Sequence, residues 1–178
     1  MDKKQELLIN AAKIIHEDGV QNFTMEALAK KSNITKGGVL YHFKSKSDLL
    51  LRMNEFVIEQ FEMKMNHYVE QLHGSYVFTR AYGHATIDYI QNEQNILLPA
   101  VFITSLEEKA CKALWDQTLH KWNKAFDTDK GNKQSILTFR LICDGVWFSI
   151  TYDFTPSSIQ QVTKLLQYEC EKLTTEEY

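Results

Sequence analysis

The sequence predicts an all-α protein with a three-helix N-terminal head and a C-terminal helical bundle. Three observations carry this. Apolar residues recur three and four positions apart along nearly the whole chain, as the buried face of a helix requires. No stretch of any length alternates apolar and polar residues as a half-buried strand would. Only two prolines interrupt 178 residues, and no repeat or low-complexity segment occurs.

The elements follow in order. Leu8, Ala11, Ala12 and Ile15 form the stripe of a first amphipathic helix that Gly19 ends as a C-cap. Phe23 anchors the entry to the next segment. Thr24 is an N-cap, with Glu26 in the first turn where the helix dipole favours an acid, and Leu28 and Ala29 form the apolar face. Ser32-Asn33 breaks the pattern, and Asn tolerates the left-handed backbone of a tight turn. Thr35 caps the next short helix, packed by Val39, Leu40 and Phe43. Ser45 and Asp48 are spaced like a capping box opening a third helix of the motif. Two short helices around a brief turn, flanked by lysines, read as a helix-turn-helix.

Gly37 and Gly38 conflict with stability. Each costs a helix up to about 1 kcal/mol relative to Ala. One reading is a frayed, loop-like segment. The other is that bare backbone must approach a groove wall or phosphate closely. Lys36, Tyr41, His42, Lys44 and Lys46 give the same stretch positive charge and polar aromatic donors.

LAKKSNITKGGVLYHFKSKSDLL (residues 28–50) resembles the DNA-binding signature of the TetR (TetR/AcrR) family of bacterial one-component regulators. The match rests on Leu28-Ala29, Ile34-Thr35, Lys36-Gly37, Tyr41-His42-Phe43 and Ser45-Lys46 through Leu49. Asn33 stands where the family usually has a turn Gly, and Leu40 where many members carry Tyr. The motif lies within the head, and the rest of the chain agrees with the family in length and helical pattern. The resemblance implies a DNA-binding domain over residues 1–47 and a ligand-binding and dimerisation domain over 48–178. It implies a homodimer on a palindromic double-stranded operator, with repression relieved by a small-molecule effector. Thr24, Lys36, Tyr41 and Lys46 then position the head on phosphates. Thr35, Gly37, Gly38 and His42 lie where base edges or close backbone approach are expected.

From Lys46 the helical pattern runs to about His73, ending at Gly74. Such a helix is about 40 Å long, more than most globular helices. Further helices are expected over Tyr76–Glu93, Ile96–Leu106, Lys109–Phe126, Ser135–Phe154 and, with Thr155 as N-cap and Pro156 at N1, to about Leu173. FDTDKGNK reads as the clearest loop. The Ser135–Phe154 helix has Leu137, Leu141 and Phe148 on one side and Phe139, Cys143, Val146 and Ile150 on another. One side can serve the core and the other a partner copy, so dimerisation is expected through the last two helices.

Charge supports this division. Net charge is −3, yet Met1–Arg52 carries nine basic residues against six acidic, and the remainder eleven against seventeen. A basic head on an acidic body suits a protein that presents one end to DNA. Cys111, Cys143 and Cys170 are odd in number and lack a C-x-x-C spacing, which reads as reduced thiols. The N-terminus lacks a secretory apolar core, and the longest apolar run, Ile96–Ile103, is far short of a membrane span. A cytoplasmic protein away from the membrane is expected.

No catalytic constellation, phosphate loop or dinucleotide fingerprint is present, so no enzyme and no cofactor is expected. Glu70 and His73 form an E-x-x-H without a second copy, and Asp116 with His120 lacks a third ligand, so no metal site is expected either. Phe61, Phe102, Trp115, Trp122, Trp147 and Phe148 supply more aromatic surface than a thin bundle needs, and an effector site is expected at Phe61, Phe102, Trp115 and Trp147 together with Asp144. Asp144 is the acid in the middle of the most apolar helix, one turn from Arg140, with Asp153 only at its end. It reads as a local ion pair or as a contact for a cationic group on a guest. A largely apolar, aromatic effector bordered by these five residues is the expectation. A DNA-binding protein governed by a partner, or by nothing, is the alternative, and an all-α enzyme is a further one.

Overall fold

The computed structural model describes residues 2–92, 96–150 and 155–175. Among them are nine α-helices and no strand. They form two compact units that do not follow chain order: residues 1–58 with 96–116, and residues 59–95 with 117–178.

In the first unit, α1 (Lys3–Asp18) is capped by Asp2, which accepts from the Gln5 N–H at 2.7 Å. Leu7, Leu8, Ala11, Ala12 and Ile15 are buried, and Gly19 ends the helix at φ 81° with its N–H on the Ile15 carbonyl. Thr24 caps α2 (Met25–Lys31) by accepting from Ala27, and Thr35 caps α3 (Lys36–His42) by accepting from Gly38. Between them Asn33 takes the left-handed conformation at φ 52°, as the turn demands. α4 (Lys46–Gln71) starts from Ser45, which accepts from Asp48 N–H. The Asp48 carboxylate reaches back to Lys44 N–H at 2.8 Å, one residue beyond the partner of a standard capping box. α6 (Leu97–Glu107) packs on α1, and Pro99 sits in its first turn, where the missing N–H is unneeded.

One polar residue lies at the heart of this unit. Asn54 on α4 is 0% exposed. Its amide donates to the Leu50 carbonyl at 2.8 Å and to Thr104 Oγ1 at 2.9 Å, and its Oδ1 accepts from Trp115 Nε1 at 2.8 Å. Trp115 belongs to α7 (Lys109–Thr128). α4 and α7 each contribute residues to both units.

In the second unit, α5 (Val77–Ile90) packs on α8 (Lys133–Ile150) and α9 (Pro156–Thr175), and α8 packs on α9. The closeness depends on Gly83, where a Cβ would run into the Phe139 ring and come within 2.9 Å of Cys170 Sγ. Asp129 accepts from the backbone and hydroxyl of Thr79, and Tyr76, left-handed at φ 57°, donates its N–H to the Lys130 carbonyl at 2.7 Å.

Element ends differ from the sequence expectations for local reasons. α4 stops at Gln71, two residues early. α5 begins at Val77 because Tyr76 turns left-handed, and it ends at Ile90; the expected end, Glu93, lies outside the described residues. The expected loop from Phe126 is helical through Thr128, whose hydroxyl bonds back to the Lys124 and Ala125 carbonyls. α8 starts two residues early because Asn132 caps it, accepting from Gln134 and Ser135. Its expected end, 151–154, lies outside the described residues. No described helix is long and apolar enough to cross a membrane.

Candidate nucleic-acid interface and aromatic cluster

The caps just described aim α3 outward. Val39 and Phe43 are fully buried, which fixes the opposite side of α3 toward solvent. On that side lie Gly37 and Tyr41, with Tyr41 87% exposed, while Lys36 is exposed one turn before Val39. Nothing inside the chain requires the glycines. A Cβ at Gly37 would meet only Thr35 Oγ1 at 3.7 Å, and one at Gly38 would make ordinary contacts with Ile34 and Thr35. Their cost to the helix has no return within the fold.

The other expected DNA contacts fall nearby with different degrees of freedom. Thr24 and Thr35 are exposed, with their hydroxyl oxygens engaged as caps. His42 is half-buried between the Tyr41 ring, edge-on at 5.2 Å, and the Phe43 ring at 6.4 Å. Lys46 donates to the Val20 carbonyl at 2.7 Å and lies 5.7 Å over the Phe23 ring, so its ammonium is oriented by the head itself. Lys36 pairs with Glu26 across the turn. The Lys36 hydrogen bond is the main reason the Glu26 carboxyl sits below its ordinary range. That pairing escaped sequence reasoning, which gave Glu26 only a dipole role. The two residues are ten apart, and no helical spacing flags them.

In the second unit an aromatic cluster forms around Phe61. Its ring lies 4.9 Å from Trp147, 5.2 Å from Tyr82 and 5.3 Å from Trp122, the first two edge-on. Tyr89 adds a ring 5.0 Å from Trp147, and Phe126 one 5.2 Å from Tyr82. The indole N–H of Trp122 donates to Glu62 and that of Trp147 to Thr86. Tyr82 donates to Asp144 at 2.9 Å, and Arg140 Nε faces the same carboxylate at 3.4 Å while its guanidinium lies over Phe126. Burial first, then Asp144, pushes the Tyr82 hydroxyl well above its usual range. The Tyr89 hydroxyl is buried without a partner.

Of the five residues expected around an effector, Phe61, Asp144 and Trp147 thus come together through Tyr82. Phe102 and Trp115 belong to the first unit, where Trp115 is spent on Asn54. Tyr82, Tyr89 and Phe126 join this cluster without having been expected there, while Trp122 stood in the aromatic surplus but not among the five. Tyr82 and Tyr89 share one face of α5 by spacing, which was the available signal.

Two family models match the sequence. The model for bacterial regulatory proteins of the tetR family covers residues 7–53, and the tetracyclin repressor-like C-terminal domain covers residues 77–168, more than half the chain. No curated protein matches the sequence. Among solved structures, the ketosteroid transcriptional regulator KstR2 of Mycobacterium tuberculosis is similar at TM-score 0.70 and 16% identity, over 98% of this chain and 96% of that one. AibR, solved in complex with isovaleryl coenzyme A and operator DNA, is similar at TM-score 0.70 and 17% identity, over 94% and 97%. The multidrug binding protein EbrR, complexed with malachite green, is similar at TM-score 0.62 and 11% identity, over 95% and 98%. At such identities the structures speak to the fold alone, and the family models carry the assignment. The chain belongs to the TetR family of bacterial regulatory proteins and is a DNA-binding transcriptional regulator.

Proposed function

We propose that this regulator is a cytoplasmic repressor that binds a palindromic operator as a homodimer and leaves it when a small apolar or aromatic effector binds. Residues 1–47 read the DNA, and residues 48–178 bind the effector and the second copy. The observation that carries the DNA face is the pair of glycines on α3, which no internal contact explains. Thr24, Lys36, Tyr41 and Lys46 hold phosphates; Thr35, Gly37, Gly38 and His42 face the groove. The test is Gly37→Ala. It stabilises the fold by up to about 1 kcal/mol in chemical denaturation, yet weakens operator binding in fluorescence anisotropy. Unchanged binding sinks the assignment of this face.

The effector is assigned to the cluster of Phe61, Tyr82, Tyr89, Trp122 and Trp147, all in the second unit; Phe102 and Trp115 belong to the first and are left out of the site. The orphan Tyr89 hydroxyl supports it, since a buried polar group without a partner is a place for a guest to bond. Asp144 already holds Tyr82 and Arg140, so it favours a neutral guest over a cationic one. AibR was solved with isovaleryl coenzyme A and EbrR with malachite green, which supports small-molecule control of this chain by analogy. Coupling is reciprocal, so an effector that lowers operator affinity binds the operator complex less tightly. Calorimetric screening of aromatic compounds with and without operator measures this. Uniform failure to release DNA returns the reading to a DNA-binding protein without an effector.

The second copy docks on α8 and α9. Leu137, Leu141 and Phe148 are exposed on one side of α8, and Leu165 and Tyr168 on α9. Gly145, on the same side of α8, has open space beyond its Cα, which permits close helix approach.

A further inference from the structure

A cleft of about 400 Å³ opens in the second unit between the end of α4, α5 and α9. It is polar, and it lies apart from the dimer face on α9. Gln167, Glu171 and Thr174 line it, while Leu165 lies on the other side of the same helix by the 3.6-residue period and Tyr168 at the edge between them.

We propose that this cleft is a second ligand site, taking a small monocarboxylate whose carboxylate pairs with the Arg80 guanidinium. Arg80 lines the cleft in an unusually unsatisfied state. Its Nε is buried and has no hydrogen-bond partner. Its Nη1 makes one long bond, 3.3 Å, to the His73 carbonyl. Among the described residues no carboxylate stands within ion-pair distance of it. A guanidinium fork offers five donors and matches a carboxylate with two parallel bonds. Such a guest gives Nε–H the acceptor it lacks, once the flexible end of the side chain turns.

The neighbours define the guest further. His84, one turn along α5, stacks on the Tyr68 ring at 5.0 Å and 26°. Burial, then the Arg80 charge, lowers its pKa below the ordinary value, so it stands neutral and presents one N–H. The Asp88 carboxylate is already occupied by the Tyr68 hydroxyl at 3.0 Å and Lys64 at 3.6 Å. It and Glu171 keep negative charge at the walls. With Lys64 on Asp88, Arg80 faces the remaining acid, Glu171, so the cleft accepts at most a single negative charge and repels a multiply charged anion such as phosphate.

The test is calorimetry on the full chain without DNA, so its failure leaves the regulator reading intact. The probes are acetate, butyrate and benzoate, with methyl butyrate and inorganic phosphate as controls. The expected result is saturable millimolar binding of at least one carboxylate and none of the ester or phosphate. Arg80→Gln then weakens the bound carboxylate about tenfold or more, the value of a charge-assisted bond. Gln167→Glu, at an exposed position that leaves the fold undisturbed, weakens it several-fold by adding like charge. The proposal is overturned if none of the three carboxylates binds or phosphate binds as well as they do. It is equally overturned if affinity is unchanged in Gln167→Glu, which decides the matter even if Arg80→Gln fails to fold.

Discussion

At the scale of single residues, the proposed DNA face holds a restraint that would work against binding. Lys36 is shared with Glu26, whose charge the proposal sets against the phosphates. Glu26→Gln is expected to raise operator affinity and steepen its salt dependence, because one more cation is released to the backbone. Tyr41→Ala is expected to lower affinity with unchanged circular dichroism, since the side chain is 87% exposed and supports nothing. Anisotropy titrations at two salt concentrations check both; a drop in affinity for Glu26→Gln contradicts the pairing argument. A second residue-scale effect concerns Cys170. Burial, with Glu171 and Glu169 adding to it against Arg80, pushes its thiol from 9.0 in a free chain up to about 12. The unfolded chain therefore loses that proton first. The stability linked to it is complete below about pH 9 and is lost as pH rises through about 12. Urea midpoints measured from neutral to alkaline pH should fall, and Cys170→Ala should flatten the fall. The sequence showed the caps and the turn that shape the proposed DNA face because they are local chemistry. It missed Glu26–Lys36 because that contact is made across a turn.

At the scale of elements, the helices were legible and their ends less so. Apolar spacing alone marks α1, α4, α7 and α9, and Thr24, Thr35 and Thr155 mark starts that the backbone confirms. The end of α7 and the start of α8 were shifted by local bonds, but the start of α5 involves a group bonded to a distant segment. Tyr76 is held by Lys130, and its hydroxyl accepts from the Asn132 N–H that opens α8. No window of sequence contains both partners. Gly83 is the counterpart for packing, since its need for a missing Cβ arises from Phe139, fifty-six positions away. Gly83→Ala gains helix propensity locally but forces α5 away from α8. The expected outcome is a net loss of about 1–3 kcal/mol, as for other overpacked cores, read as a lower thermal midpoint. A rise in that midpoint means the Phe139 ring yields freely.

At the scale of the whole molecule, family and fold class were legible from one motif and one periodicity. The candidate effector site was only half legible. Aromatic residues were counted as a surplus, but counting does not say which ring meets which. Phe61 and Trp147 meet across 86 positions of sequence, while Trp115, equally aromatic, bonds to Asn54 in the other unit. The proposed assembly rests on a surface that the chain leaves open. Leu141 is 60% exposed on α8, and a stable interface needs about 800 Å² from each partner. Leu141→Glu is expected to give a 20.8 kDa species in light scattering where the native chain gives twice that mass. An unchanged dimer places the interface elsewhere. The three indoles have a further consequence. Each has its own partner for the ring N–H: Asn54 for Trp115, Glu62 for Trp122 and Thr86 for Trp147. The first belongs to one compact unit and the other two to its companion. The molecule therefore carries built-in optical labels. Single-tryptophan versions, with the other two changed to phenylalanine, would report by emission colour which half loosens first under heat or denaturant, with no dye attached.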